Sequence, residues 1–270
     1  MTSERAVLRN VLRAIASKLT RSFFQPARRD VPVRPLRAFV GLPIVFDLVS
    51  LAVQLIDLRR SSRIKGSYGV KGPHHRAVHD YNAAVTVKKI FTTTRRMDIY
   101  YRLLALSARY LAYQQLLIVG PRNRHELLSA WVHGFAWENI SAIDLYSTHP
   151  KIQVMNMESM TWPDDRFDSV AMANTLSYSE DTRCTIAEVG RVVKPGGSFS
   201  FSATYDPASG WIGDAVHAQA IVEMLHKASF EIRAHFAEDK VNSLGRRQTS
   251  HTFLARKRTE GEVRLDKFSL

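Results

Sequence analysis

Two positions in this 270-residue chain combine a residue type with a spacing that chemistry can use. Gly120 follows the apolar run Leu116-Leu117-Ile118-Val119 and precedes Pro121-Arg122-Asn123-Arg124-His125-Glu126, which opens a helical segment. A strand, a tight turn and a helix N-terminus cradle nucleotide-like ligands, because glycine lets the backbone come close and the helix offers unpaired N–H groups. Asp144 ends a second apolar run, Ile140-Ser141-Ala142-Ile143, 24 residues beyond Gly120. A carboxylate there can accept two hydrogen bonds from a ribose diol. His74, His75, His79 and Asp80 invite a metal check, but no cysteine or carboxylate cluster accompanies them, and a helix start rich in basic groups explains them. No metal is expected.

Two longer segments add specificity. Asn156-Met157-Glu158-Ser159-Met160-Thr161-Trp162-Pro163-Asp164-Asp165-Arg166-Phe167-Asp168 leads into the apolar run Ser169–Ala173. Glu188-Val189-Gly190-Arg191-Val192-Val193-Lys194-Pro195-Gly196-Gly197-Ser198-Phe199 joins a helix with a basic end to a Pro-Gly-Gly turn and another strand. In this order and spacing the four elements resemble S-adenosylmethionine-dependent methyltransferases of the Rossmann-like superfamily, of the type 11 kind. The glycine loop departs from that pattern: Arg122 and Arg124 stand where the family places two more glycines.

The resemblance implies S-adenosylmethionine as cofactor, held by Gly120, Arg122, Asp144, Asn156, Met157 and Asn174. Arg122 would pair with the methionyl carboxylate. Asn156, in place of the family's acid, would accept the adenine amino group through its amide oxygen, and Met157 would pack on the ring. A hydroxyl acceptor also needs a base, for which Tyr178, Tyr205, Asp206 and His217 stand near the ends of the fourth and fifth strands. The acceptor class is a small molecule, a glycan or a lipid-linked group. The alternative is a catalytically inactive binding module whose arginine-bearing loop has lost the cofactor.

To hold these residues the chain needs a parallel sheet. Short apolar runs alternating with helix-length segments are the signature of βα units. Strands are expected at 116–119, 140–144, 152–155, 167–173, 198–204, 229–236 and 249–256, with helices near 124–134, 180–193 and 214–228. The last two strands follow each other without a helix, so one of them is antiparallel. The expected fold is α/β: a Rossmann-like seven-stranded, mostly parallel sheet with one antiparallel strand, preceded by an N-terminal helical extension. The divisions are a basic amphipathic helix and Pro/Arg linker (1–36), a helical region (37–110), the methyltransferase-like domain (111–258) and a tail (259–270).

Composition sets the limits. The single Cys184 excludes an intramolecular disulfide and a cysteine-rich zinc site, and suits a reducing cytoplasm. Of the net charge of +13, residues 1–110 hold 21 Lys/Arg against 6 Asp/Glu, or +15, and the remainder 17 against 19, or −2. Such an imbalance suits an anionic partner for the N-terminal part. Residues 4–24 set Leu8, Val11, Leu12, Ile15, Leu19 and Phe23 on one helical face and Arg5, Arg9 and Arg13 on another. A peripheral anchor on an anionic membrane, a presequence and a helix packed on the domain all fit that pattern. Nucleic acid is not expected, since no aromatics interleave with the basic residues. Ala38–Ile56 is not read as a membrane span, because a central Asp47 costs roughly 2.5–3.5 kcal/mol there. Phe39–Leu58 is expected to be a helix buried against the protein, and 76–115 to be helical.

Overall fold

The computed structural model describes residues 33–61, 66–67, 73–88, 95–108, 110–121, 123–147, 149–242, 245–259 and 261. The amphipathic stretch 4–24, Arg122 and the tail beyond Gly261 lie outside the described residues.

Four helices precede the sheet: α1 (Val33–Gly41), α2 (Pro43–Ser61), α3 (Pro73–Lys88) and α4 (Asp98–Ser107). The Pro/Arg stretch turns helical at Val33, earlier than expected, because a proline in the first turn gives up only an N–H that has no helical partner. Residues 76–115 are not one helix; α3 and α4 are separate, and a short 3-10 turn follows at Leu111–Tyr113. A short strand β1 (Gly66–Ser67) pairs antiparallel with β4 (Tyr146–Ser147).

The main sheet comprises β2 (Leu116–Val119), β3 (Ile140–Asp144), β5 (Ile152–Val154), β6 (Phe167–Met172), β7 (Val193–Tyr205), β8 (Phe230–Val241) and β9 (Arg247–Lys257). Its spatial order is β5-β3-β2-β6-β7-β9-β8. All neighbours up to β7 are parallel, and β9 runs antiparallel to both β7 and β8. The expected seven-stranded sheet with one reversed strand is therefore the fold. The strand order reverses at β2, whose neighbours are β3 and β6, and the C-terminal ends of these strands open the crevice where such sheets bind ligands.

Local rules explain the crossovers. Helix α5 (Arg124–Val132) links β2 to β3; α6 (Thr182–Val192) links β6 to β7; α7 (Ala218–Lys227) precedes β8. Asp181 caps α6 by accepting the N–H groups of Arg183 and Cys184. The Pro195-Gly196-Gly197 segment, expected as a turn, lies inside the span of β7 as an irregularity in its pairing with β6. Helix α7 starts at Ala218 instead of 214, after a 3-10 turn at Ile212–Ala215.

On one face of the sheet α6 and α7 cover a core in which Phe199 stacks on Phe201 at 4.3 Å and Phe201 on Phe253 at 5.0 Å. Each such pair contributes about 0.5–1.5 kcal/mol beyond area burial. On the other face α5 lies between the sheet and the N-terminal helices, so Arg124 through Trp131 are all buried. That extra layer explains the polar start of α5. Arg124 pairs with Asp57 of α2 at 3.1 Å, His125 Nδ1 meets Gln54 Nε2 at 3.1 Å, and Ser129 donates to Asp98 at 2.6 Å. Helix α2, expected to be buried, has only one face against α5.

Candidate functional site

The ends of β2 and β3 shape a narrow slot. Gly120 leaves β2 with φ +72°, and a Cβ there would lie 2.4 Å from the Thr175 side chain. Glycine therefore answers both the backbone turn and the close approach of the loop after β6. The Gly120 N–H donates to Ile143 O at 2.8 Å, tying the turn to β3.

Asp144 closes β3 and faces the slot, where one of its oxygens accepts the Tyr146 N–H at 3.2 Å. Burial pushes its carboxyl up to about 7, against the opposing pull of the Tyr146 N–H and of the Arg96 charge. Leu145, Met155, Asn156 and Met157 continue the same wall. The Asn156 amide oxygen accepts the Glu158 N–H at 3.0 Å.

Arg96 comes from the N-terminal extension, in a segment whose sequence carries no sign of this role. Its guanidinium donates to both Glu126 oxygens, at 2.7 and 3.0 Å, to Ala173 O at 2.8 Å and to Gly120 O at 2.9 Å. Burial opposes its charge, but the Glu126 carboxylate more than offsets this and holds it above the usual arginine range. Four of its five N–H groups are thus engaged in fixing the cradle, and the group still lines the slot. Val78 of α3 also lines the slot.

The positions singled out from sequence separate into three groups. Gly120, Asp144, Asn156, Met157 and Tyr178 line the slot together. Asn174, at φ +50°, stands outside that lining: its N–H donates to Ser202 Oγ, and its Oδ1 accepts the Ser202 hydroxyl at 2.8 Å. Tyr205 and His217 are also outside it, with their rings stacked on each other at 4.0 Å. Asp206 is buried and accepts from Ala208 N and Asn242 Nδ2. Arg124 does not reach into the slot but turns to Asp57.

Tyr178, which lines the slot, meets Trp211 edge-on at 4.9 Å, with Tyr81 of α3 at 5.7 Å from the former and 5.6 Å from the latter. His74 Nε2 lies 3.1 Å from Tyr178 O. Gly213 permits this packing, since a Cβ there would sit 2.1 Å from Leu176 O. Beneath the slot, Arg191 binds Glu188, Asp164 and the carbonyls of Met160 and Trp162, joining the two long sequence motifs. Among the described residues no cluster of three or more His, Cys, Asp or Glu could hold a metal ion.

Residues 130–201 match a family described as a methyltransferase domain. No curated protein matches the chain. A chain of the complex between the Haloferax volcanii Trm112 methyltransferase activator and its proposed methyltransferase is 12% identical, covering 69% of this chain and 100% of that one, with a TM-score of 0.56. The Burkholderia thailandensis 1,6-didemethyltoxoflavin N1-methyltransferase, solved with 1,6-didemethyltoxoflavin and S-adenosylhomocysteine, is 14% identical over 72% of this chain and 94% of that one, with a TM-score of 0.51. These two share the fold. The family match runs from α5 into β7, and the sheet it lies on has the fold of these two structures.

Proposed function

We propose that this protein transfers a methyl group from S-adenosylmethionine to a small-molecule, glycan or lipid-linked acceptor; Asp144 at the end of β3, facing the slot, is the observation that carries it. The residues present fit that cofactor. Asp144 has the oxygens a ribose diol needs, Leu145 and Met157 offer apolar surface to a purine ring, and the Asn156 amide lines the same wall. Arg96, paired with Glu126, fixes the Gly120 turn at the rim of the slot through the Gly120 carbonyl. With Arg124 held by Asp57, the departure from the glycine pattern at that position does not fill the slot.

The bound cofactor supplies an electrophilic methyl on a sulfonium. The chain's part is to hold donor and acceptor in line, which accounts for most of the acceleration in such a transfer. Of the candidate bases, Tyr178 is the one that lines the slot; once its own proton has gone to solvent, its phenolate oxygen would take the proton of a hydroxyl acceptor. Tyr81 and Trp211, packed on Tyr178, add aromatic surface on which an apolar or ring-bearing acceptor would rest.

Thermal unfolding with and without S-adenosylmethionine tests the proposal. A ligand at about 100 times its Kd adds roughly 2.7 kcal/mol, a rise of several degrees. The rise should vanish in Asp144→Ala. Methyl-labelled cofactor incubated with small-molecule, glycan and lipid fractions would then name the acceptor class. No stabilisation at millimolar cofactor would sink the proposal in favour of an inactive binding module.

A further inference from the structure

Helix α2 is amphipathic in the reverse sense for a water-soluble surface. Phe46, Ser50, Gln54 and Asp57 fall within about 80° of one another at 3.6 residues per turn, and this is the buried face: Ser50 is 0% exposed, Gln54 4% and Asp57 5%. Its contacts with α5 are largely polar, through Gln54 to His125 and Asp57 to Arg124. Ile44, Leu48 and Leu55 fall within about 40° of one another on the other side. Ile44 is 76% exposed and Leu48 62%, and Ala52 is exposed beside them. Phe39 and Leu42, at the end of α1, extend the apolar surface. A helix that turns polar groups to protein and leucines outward has its solvent relations inverted, and such a continuous apolar patch marks an interaction surface.

Charge selects the partner. The sequence sets Arg28 and Arg29 before this helix pair, Arg34 in the first turn of α1, Arg59 and Arg60 in the last turn of α2, and Arg63 and Lys65 after it, within the part of the chain that carries +15. The one acid near the exposed stripe, Asp47, stands at its edge, about 60° from Ile44. Among the described residues no single helix is long and apolar enough to cross a membrane, and α1 and α2 meet at an 87° bend. A bent helix pair with an apolar outer face, flanked in the sequence by cations, is suited to lie in the plane of a bilayer interface, apolar side down. We infer that the outward face of α1 and α2 docks this protein on an anionic lipid surface. The inference is independent of the methyl-transfer chemistry.

Flotation of the full chain with phosphatidylcholine vesicles, with and without phosphatidylglycerol, tests it. The wild-type protein should float with the anionic vesicles and much less with the neutral ones, and raised salt should release it. Leu48→Glu and Ile44→Glu should each weaken vesicle binding at least about tenfold, since one fully buried Leu or Ile side chain contributes about 1.5–3 kcal/mol. Their melting temperatures should stay at the wild-type value, because both side chains point away from the protein. Unchanged binding in both variants would overturn the inference. So would failure of the wild type to bind vesicles: a concentration-dependent dimer broken by Leu48→Glu would assign the face to a second copy, and a monomer would assign it to residues 4–24 of the same chain.

Discussion

Arg96 and Glu126 meet through two parallel charge-assisted bonds, Nε to Oε1 at 2.7 Å and Nη2 to Oε2 at 3.0 Å, and the same guanidinium holds the carbonyls of Gly120 and Ala173. The N-terminal extension is thereby tied to the ends of β2 and β6, and it completes the cradle from which the domain's own second and third glycines are missing.

Because Glu126 is 1% exposed, Arg96→Ala should destabilise the fold by about 3–5 kcal/mol, the usual cost of breaking a buried pair from one side. Urea unfolding of Arg96→Ala, Glu126→Ala and the double variant measures it. The double variant should lose less than the sum of the singles by more than about 1 kcal/mol. Additive losses would mean that the two groups act separately.

Arg124 and Asp57 join α5 to α2 at 3.1 Å, with both side chains 7% exposed. Asp57→Ala should cost about 3 kcal/mol by removing this counter-charge from a buried guanidinium. Limited proteolysis should then cut first within α1 and α2, while the sheet resists. Equal resistance of α2 in the variant and the wild type would show that its apolar contacts alone hold it.

Gly120→Ala places a methyl 2.4 Å from Thr175 on a backbone with φ +72°. Steric displacement and backbone strain together predict a loss of about 2–4 kcal/mol. Adding Thr175→Ala removes the clashing Oγ1 and Cγ2 atoms and should recover the steric part, leaving the strain. If the second substitution recovers nothing, the close approach is not what requires glycine here.

The strands were the legible part of the chain. β2, β3 and β6 are apolar runs buried on both faces, which write themselves into sequence as Leu116–Val119, Ile140–Ile143 and Val170–Met172. Asp144 was legible for the same reason, as the first acid after such a run. Arg96 was not, because its role comes from a tertiary approach to Glu126 that no local spacing encodes. Nor was the buried face of α2, since Ser50, Gln54 and Asp57 are buried only through the polar partners that α5 presents. Tyr205 and His217 share the sheet's C-terminal end with Tyr178, but sequence cannot tell which side of a strand end faces the slot.

The raised carboxyl of Asp144 gives the site a pH dependence of definite sign. Unfolded, the group titrates near 3.8; folded, near 7. Between these values the folded state binds more protons, so the contribution of Asp144 to stability is present below about pH 4 and is lost as pH rises towards 7. Cofactor binding runs the other way. A diol donates to the ionised carboxylate, so affinity for S-adenosylmethionine should climb by up to about tenfold per pH unit below 7 and level off above it. Titration calorimetry from pH 5.5 to 8.5 measures this, with Asp144→Asn as the control that should be weak and flat. A wild-type affinity that is flat, or that strengthens towards acid, would remove Asp144 from the diol site, because only a carboxylate that must lose its proton to bind can produce the climb.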